Sequence, residues 1–403
     1  METTLNLSSI PTPAIKNKSE LFTLLILSAL MSFASISTDI YLPALPIMRA
    51  QFAGSSGSVE WTISGFLLGF SVGQLIWGPV SDRYGRKIPI MIGMLLYLIG
   101  SVGCAMSATS WQMIFWRCVQ ALGACTGPVL SRAMVRDLYS TERSAHMLST
   151  LIMIMGIAPL LGPIIGGQIL RIGSWHTIFW ILSVAGAVMC VTVYKYPETL
   201  AKEKRITTPL TQSLNDYWFL LKDKKLISYI LTGAFFYLGA YAFIAGSPFA
   251  YIQYYKLSQT TYGVMFALNT LGIIAANYIN RSLMRRYGMS HLLRCGVMIL
   301  IFSGILIIIN ARTDFGGFWG LEIPLFIYWS MNGFIVANSV ASTLSLYPER
   351  AGAVSALTGA MQYGSGIIST SLLGWFSDGT PWTMGWIIGA SSFACFISYR
   401  LKK

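Results

Sequence analysis

An all-α membrane protein of twelve transmembrane helices, arranged as two pseudo-symmetric six-helix halves, is the fold class this sequence predicts. Three observations predict it. Of its 403 residues, 54% are hydrophobic and only 11% charged, against roughly 25% charged in soluble domains. The apolar residues gather into segments of about 20 or more, the length needed to cross a hydrocarbon core of about 30 Å. Basic residues crowd into alternate loops, and a short motif recurs in equivalent loops of the two sets of segments.

In order, the apolar segments are 21–45, 58–77, 88–107, 110–131, 145–169 and 175–194, then 226–252, 258–280, 291–310, 320–346, 351–375 and 381–399. The lysine-rich stretch 195–225 lies between the sets. This divides the chain into residues 1–194 with the first six helices, a linker over 195–225, and residues 226–403 with the second six. Alternate assignment of the loops puts 23 Lys and Arg on the side of the termini and four on the other, Arg49, Arg171, Lys256 and Arg312. The positive-inside rule then makes both termini cytoplasmic. Polar residues 1–20 contain no signal-peptide core, so no cleavage is expected.

SDRYGRK (81–87) and MRRYGMS (284–290) share an Arg-Tyr-Gly core after the second and eighth segments. Duplicated halves are a known plan for secondary transporters, with the binding site near the midplane between them. The net charge of +13 follows from the loop bias, so no nucleic-acid partner is expected. Six cysteines without a CxxC pair and three scattered histidines point to no disulfide framework, metal or cofactor. No nucleophile, base and orienter are grouped as an enzyme would need.

Charged and small residues inside the spans carry the mechanism. Ser28, Ser32, Ser35 and Asp39 are spaced by four, three and four residues, a polar stripe on the first helix that ends at a carboxylate. Asp39 reads as the only carboxylate clearly inside a span; Glu60 falls at a helix mouth, and Pro43 and Pro46 should end the helix beyond Asp39. Arg117 lies inside the fourth span, which is costly unless it faces protein or water, so it should have a partner. Burial favours a neutral carboxyl and a nearby guanidinium favours the charged one, so a group moving between these environments binds and releases a proton. Asp39 is the expected proton carrier, with Arg117 beside it. Trp61, Gly65, Gly69, Gly73 and Trp77 repeat every four residues and suit close helix packing. Tyr41, Tyr241 and Phe243 offer rings for a flat or apolar substrate. Asn269, Asn332 and Gln362, with Asn277 and Asn338, are polar side chains expected to face the cavity or a neighbouring helix rather than lipid; Gln120, Asn269, Asn332 and Gln362 join the rings as substrate-binding candidates.

Motifs add a family. GPVSDRYGRK (78–87) resembles the loop signature between spans two and three of the major facilitator superfamily. This implies a cytoplasmic gate made of Gly78, Asp82, Arg83, Gly85 and Arg86, with Asp137 after the fourth span. RCVQALGAC (117–125) is similar to the fourth-span signature, whose arginine is tied to proton coupling, although Ala121 stands where a glycine is common. APLLGPIIGG (158–167) resembles the fifth-span signature of the antiporters, here Pro159, Gly162, Pro163 and Gly166. TDIYLPALP, SRAMVRDLY, GSPFAYIQYY and YPERAGAVSAL look like the bicyclomycin-resistance (Bcr/CflA) subfamily of drug:proton antiporters, and together with the signatures cover nearly the whole chain. The resemblance implies a monomeric efflux antiporter in a bacterial inner membrane, exchanging drug-like small molecules for protons by alternating access. A proton-coupled metabolite symporter on the same fold is the nearest alternative, with a non-transporting membrane receptor behind it.

Overall fold

The computed structural model describes residues 18–52, 59–206 and 211–401; the start of the N-tail and the last two residues lie outside these. Sixteen α-helices, α1 to α16, make up nearly all of it. In hydrocarbon each backbone N–H and C=O must be satisfied within its own segment, and helices do that. Apolar side chains such as Leu25, Ile92, Val188 and Phe302 point outward, where a soluble protein would place charge.

The first half runs through α1 (Lys18–Asp39), α2 (Leu45–Gln51), α3 (Trp61–Tyr84), α4 (Lys87–Ala105), α5 (Ser110–Ala124), α6 (Thr126–Leu138), α7 (Thr141–Ile172) and α8 (Trp175–Lys195). A linker helix, α9 (Thr211–Leu221), precedes α10 (Lys224–Pro248), α11 (Gln259–Tyr287), α12 (Met289–Thr313), α13 (Gly317–Ser330), α14 (Asn332–Leu346), α15 (Ala351–Phe376) and α16 (Trp382–Arg400). Ten helical spans are long and apolar enough to cross a membrane, with α5–α6 and α13–α14 each counted as one. The helices α15 and α16, rich in Gly, Ser and Thr, complete the twelve. We call the two ends of the bundle the linker end and the distal end.

Spans four and ten are each broken once, at Cys125 and at Met331. Hydropathy reads straight through both breaks because no polar loop intervenes. Pro43 and Pro46 also act differently from expectation. Proline is pre-organised for the first turn of a helix, and here each sits in a first turn, of the 3-10 segment Leu42–Ala44 and of α2. The chain therefore re-enters a helix after Asp39 instead of leaving.

The recurring Arg-Tyr-Gly is a helix stop. Gly85 caps α3 with φ of 91° and Gly288 caps α11 with φ of 74°, a region that glycine enters without steric cost. SDRY thus lies on the last turn of α3, not in a loop. Where the repeat fails, capping side chains take over: Asp223 accepts from the backbone of Lys225 and Leu226 at 2.8 and 3.0 Å to start α10.

The halves meet along two pairs, α3 with α15 and α7 with α11. Small residues make both close. Gly167 faces the Gln259 carbonyl, and Gly263 lies against Pro163 and Ile164. Within the first half, a Cβ on Gly65 or Gly69 would run into the α5 backbone at Ile114 or Cys118, which is the close packing the four-residue spacing predicts. At the linker end α9 ties the halves together: Tyr217 donates to the Leu75 carbonyl of α3 at 3.0 Å, and Asp216 pairs with Arg350 at 3.2 Å.

Candidate functional site

At the linker end the signature residues form one network. Arg86 donates to Asp137 at 2.8 Å, to Asp82 at 2.5 Å and to Ser81 at 2.8 Å. Glu198 accepts from the backbone N–H groups of Arg86 and Lys87 at 2.8 and 3.2 Å. Burial pushes the Glu198 carboxyl up, but these donors and those of Thr199 and Leu200 outweigh it and hold it below the usual glutamate range. Arg83 stays outside this network, its guanidinium 5.7 Å from the Tyr84 ring. Gly78 and the Asp82 and Arg86 side chains border a cavity of about 370 Å³ that also touches Arg132, Arg136 and Arg350 from both halves.

At the distal end the halves are closed. Arg49 pairs with Glu60, places its guanidinium 3.6 Å from the Phe249 ring, and reaches Ser377 at 3.4 Å. Ser64 and Thr370 are 2.6 Å apart. Glu60 is 2% exposed, so the carboxylate expected at a mouth is buried there with its own cation.

Asp39 is 5% exposed and closes α1. It lies where three helices meet. A Cβ on Gly162 would stand 2.9 Å from the Asp39 Cβ, and Gly166 packs on the Ile40 carbonyl. Gly162 and Gly166 of the fifth-span signature thus form the surface against which Asp39 sits, while Pro159 and Pro163 lie inside the long α7. On its other side Asp39 is within electrostatic reach of Tyr241, Tyr262 and Tyr363 of the second half.

Arg117 is fully buried in the first half and within electrostatic reach of Asp39. It donates to the Ser37 carbonyl at 3.0 Å and to Gln120 Oε1 at 2.6 Å, and its guanidinium stands 4.3 Å from the centres of both the Tyr41 and Phe66 rings. Nε and Nη2 have no hydrogen-bond partner among the described residues. Asp39 and Arg117 form no ion pair within 4.0 Å; neither belongs to any of those found among the described residues. The reason is angular. At about 100° per residue, Ser37 and Asp39 fall on opposite faces of α1. The face carrying Ser37 turns into the first half, and the face carrying Asp39 turns to the junction.

The remaining sequence candidates divide among three places. Tyr41 and Gln120 belong to the Arg117 node, Tyr41 as a ring and Gln120 as an acceptor that also donates to Ser101 at 2.8 Å. Tyr241, Asn332 and Gln362 gather near the midline. There Tyr237, Tyr241 and Tyr363 lie with ring centres about 6 Å apart, Phe70 of the first half is 4.2 Å from Tyr363, and Asn332 lies near Tyr237. Phe243 and Asn269 lie in the core of the second half, beside a residue the sequence reading passed over.

That residue is Glu322. It is 2% exposed and sits about one and a half turns inside α13; it accepts from the Tyr251 hydroxyl and from Asn269 Nδ2, the latter at 2.8 Å. Asp39 is therefore not the only intramembrane carboxylate. Glu322 falls near the start of the predicted segment 320–346, where it reads as a helix-end residue, yet one acid in GFWGLEIPLFIYWS, a stretch with no other charge, was a usable signal. Pro324 leaves the Gly320 carbonyl without its helical donor, and Asn310 supplies one at 2.6 Å.

A two-half helical bundle with buried ions at an inter-half junction and a cavity at one end defines a membrane transporter. The chain belongs to the Major Facilitator Superfamily, whose family model matches residues 25–370. It is 29% identical over 385 residues to a bicyclomycin resistance protein homolog of Haemophilus influenzae, covering 95% of this chain and 96% of that one. It is 32% identical over 369 residues to the MFS-type transporter YdgK of Bacillus subtilis, covering 90% of each. A crystal structure of a D-xylose-proton symporter superposes with a TM-score of 0.75 over 94% of this chain and 97% of the other at 14% identity, a likeness of fold alone.

Proposed function

We propose that the protein is a proton-coupled efflux antiporter for small, mostly apolar compounds, with Asp39 as the proton carrier. One observation supports this above the rest: Asp39 packs on Gly162 of α7, the helix through which the first half meets α11 of the second. Alternating access must part that contact. A carboxyl there passes from a buried setting to a wet one within each cycle, which drives proton uptake and release.

In this reading the linker end is cytoplasmic, as the basic residues suggest, and the protein works as a monomer in a bacterial inner membrane. The distal closure at Arg49 and Ser64 together with the cavity at the linker end corresponds to an inward-facing state. Substrate would bind along the midline at Tyr237, Tyr241 and Tyr363, where rings offer stacking and Asn332 and Gln362 offer polar contacts. The Haemophilus influenzae relative's name, a resistance protein homolog, agrees with export of a drug-like compound. Arg117 would hold the end of α1 through the Ser37 carbonyl and thereby position Asp39 rather than pair with it.

An efflux-deficient strain expressing the wild type should gain resistance to at least one compound of a broad antibiotic panel. Asp39→Asn should abolish it at equal membrane abundance. Everted vesicles with that compound then read coupling directly, since addition should release protons from the lumen only in the wild type. Full resistance and proton movement with Asp39→Asn would refute the role of Asp39; accumulation driven in the opposite direction would favour the symporter.

A further inference from the structure

We propose that Glu322 is a second proton-binding site, seated in the half of the molecule that does not carry Asp39. Three structural facts lead there. Glu322 is 2% exposed inside a helix that spans the bilayer, where an ionised carboxylate without a cation is costly. It joins no ion pair among the described residues. Both carboxyl oxygens are already occupied by neutral groups, Tyr251 and Asn269, so an organic cation has no face to approach. A proton needs no such room.

The two partners suit both forms of the group. As a carboxylate it accepts from the Tyr251 hydroxyl and the Asn269 amide. As an acid it can donate to the Tyr251 oxygen, because a hydroxyl is donor and acceptor at once. Asn269 Nδ2 keeps a second acceptor in the Met265 carbonyl at 3.1 Å, while its Oδ1 is buried without a donor. No rebuilding of the site is required between the two states.

Its surroundings contain no competing charge. On the π-helical segment Phe249–Tyr254, Tyr251 is the titratable group facing it, with Tyr262 of α11 behind at 5.9 Å between ring centres. The charges on adjoining stretches are engaged elsewhere or lie at an end of the bundle. Asp314, after α12, accepts from Tyr255 at 2.7 Å, and Arg312 lies 5.3 Å from the Trp382 ring. Lys256 follows the π-helical segment, and Arg281, Arg285, Arg286, His291 and Arg294 are at the linker end of α11 and α12.

Two lines of side chains lead away from Glu322. Tyr251 and Tyr255 flank Phe318 at 5.1 and 5.6 Å, which runs from Glu322 to the exposed Asp314 at the distal mouth. Tyr251 also neighbours Tyr262, which lies within electrostatic reach of Asp39. Binding is the simple reaction of carboxylate and proton to carboxylic acid. The use of this proton in transport rests on the antiporter reading, but the binding site itself does not.

Infrared difference spectra of the full-length protein in lipid nanodiscs, between acidic and alkaline buffer, test it without a substrate. The wild type should show a carboxylic C=O band that Glu322→Gln removes, Asp39→Asn leaves in place and Tyr251→Phe shifts in frequency. If Glu322→Gln folds and its carboxylic bands equal those of the wild type, the proposal is overturned. If Glu322→Gln does not fold, Tyr251→Phe in the Asp39→Asn background decides: a shifted band supports the site and an unshifted spectrum rejects it. An unchanged spectrum for Asp39→Asn alone would count against Asp39 as a carrier and leave Glu322 untouched.

Discussion

Arg117 in the first half and Glu322 in the second occupy nearly matching places, yet they are held in different ways. Arg117 stands eight residues before the break at Cys125, and Glu322 nine residues before the break at Met331. Each meets a tyrosine from the segment that follows the first span of its half, Tyr41 or Tyr251. Arg117 takes the ring face of Tyr41, whereas Glu322 takes the hydroxyl of Tyr251. The cation is fixed, always charged, and anchored on a main-chain carbonyl. The acid is held by groups that fit it with or without a proton. Matching places in the two halves thus hold a guanidinium in one and a carboxyl in the other.

The largest effect should come from removing the permanent charge. Arg117→Met leaves the Gln120 oxygen and the Ser37 carbonyl buried without a donor, at about 2 to 4 kcal/mol together, and forfeits ring contacts worth about 2 kcal/mol when desolvated. Glu322→Met strands fewer groups, since Asn269 retains the Met265 carbonyl. Thermal unfolding in detergent should show a distinctly larger loss for Arg117→Met; equal losses would break the comparison.

An intermediate effect should appear when one substitution is made on both tyrosines. Tyr41→Phe keeps the ring under Arg117 and loses only the 3.2 Å contact with Thr62, about 0.5 to 1 kcal/mol. Tyr251→Phe deletes a donor to a carboxyl, about 1.5 to 3 kcal/mol where that carboxyl is charged. The gap between the two melts should therefore narrow in acidic buffer, as Glu322 takes up its proton.

The smallest effect belongs to a charge open to water. Glu198 is held below the usual glutamate range by backbone donors that outweigh its partial burial. Its folded-state affinity for protons is lower than in the unfolded chain, so its contribution is complete above the ordinary value of about 4.3 and fades as pH falls through the lower folded value. Hydrogen-exchange protection at the Arg86 and Lys87 amides should stay level from neutral to mildly acidic buffer and drop only below that range. Glu198→Gln should show the reduced protection at every pH.

Much of this could be read from the chain. Glycines at intervals of four marked the faces of α3 that touch α5, and Arg-Tyr-Gly marked two helix stops, because both signals are local and steric. Apolar length marked the spans. What escaped needed three-dimensional information. Serine spacing placed Asp39 on a face but could not say that Ser37, turned about 200° from it, would capture Arg117. Hydropathy averaged Glu322 away among Leu321, Ile323 and Leu325. Linker helix α9 was hidden by its lysine-rich flanks, and its docking depends on Tyr217 and Asp216 finding partners far along the chain.

Helical hydrogen bonds carry on across the interruptions in spans four and ten. At Cys125 and Met331 the backbone stays near helical values, and the amide at each interruption is shared among several acceptors. A bend there needs no hydrogen bond to be exposed to lipid. The segments on the linker side, 13 residues from Thr126 and 15 from Asn332, carry neither Arg117 nor Glu322, which lie on the distal side of each interruption. The interruption and the buried ionisable group thereby occupy different stretches of the same span.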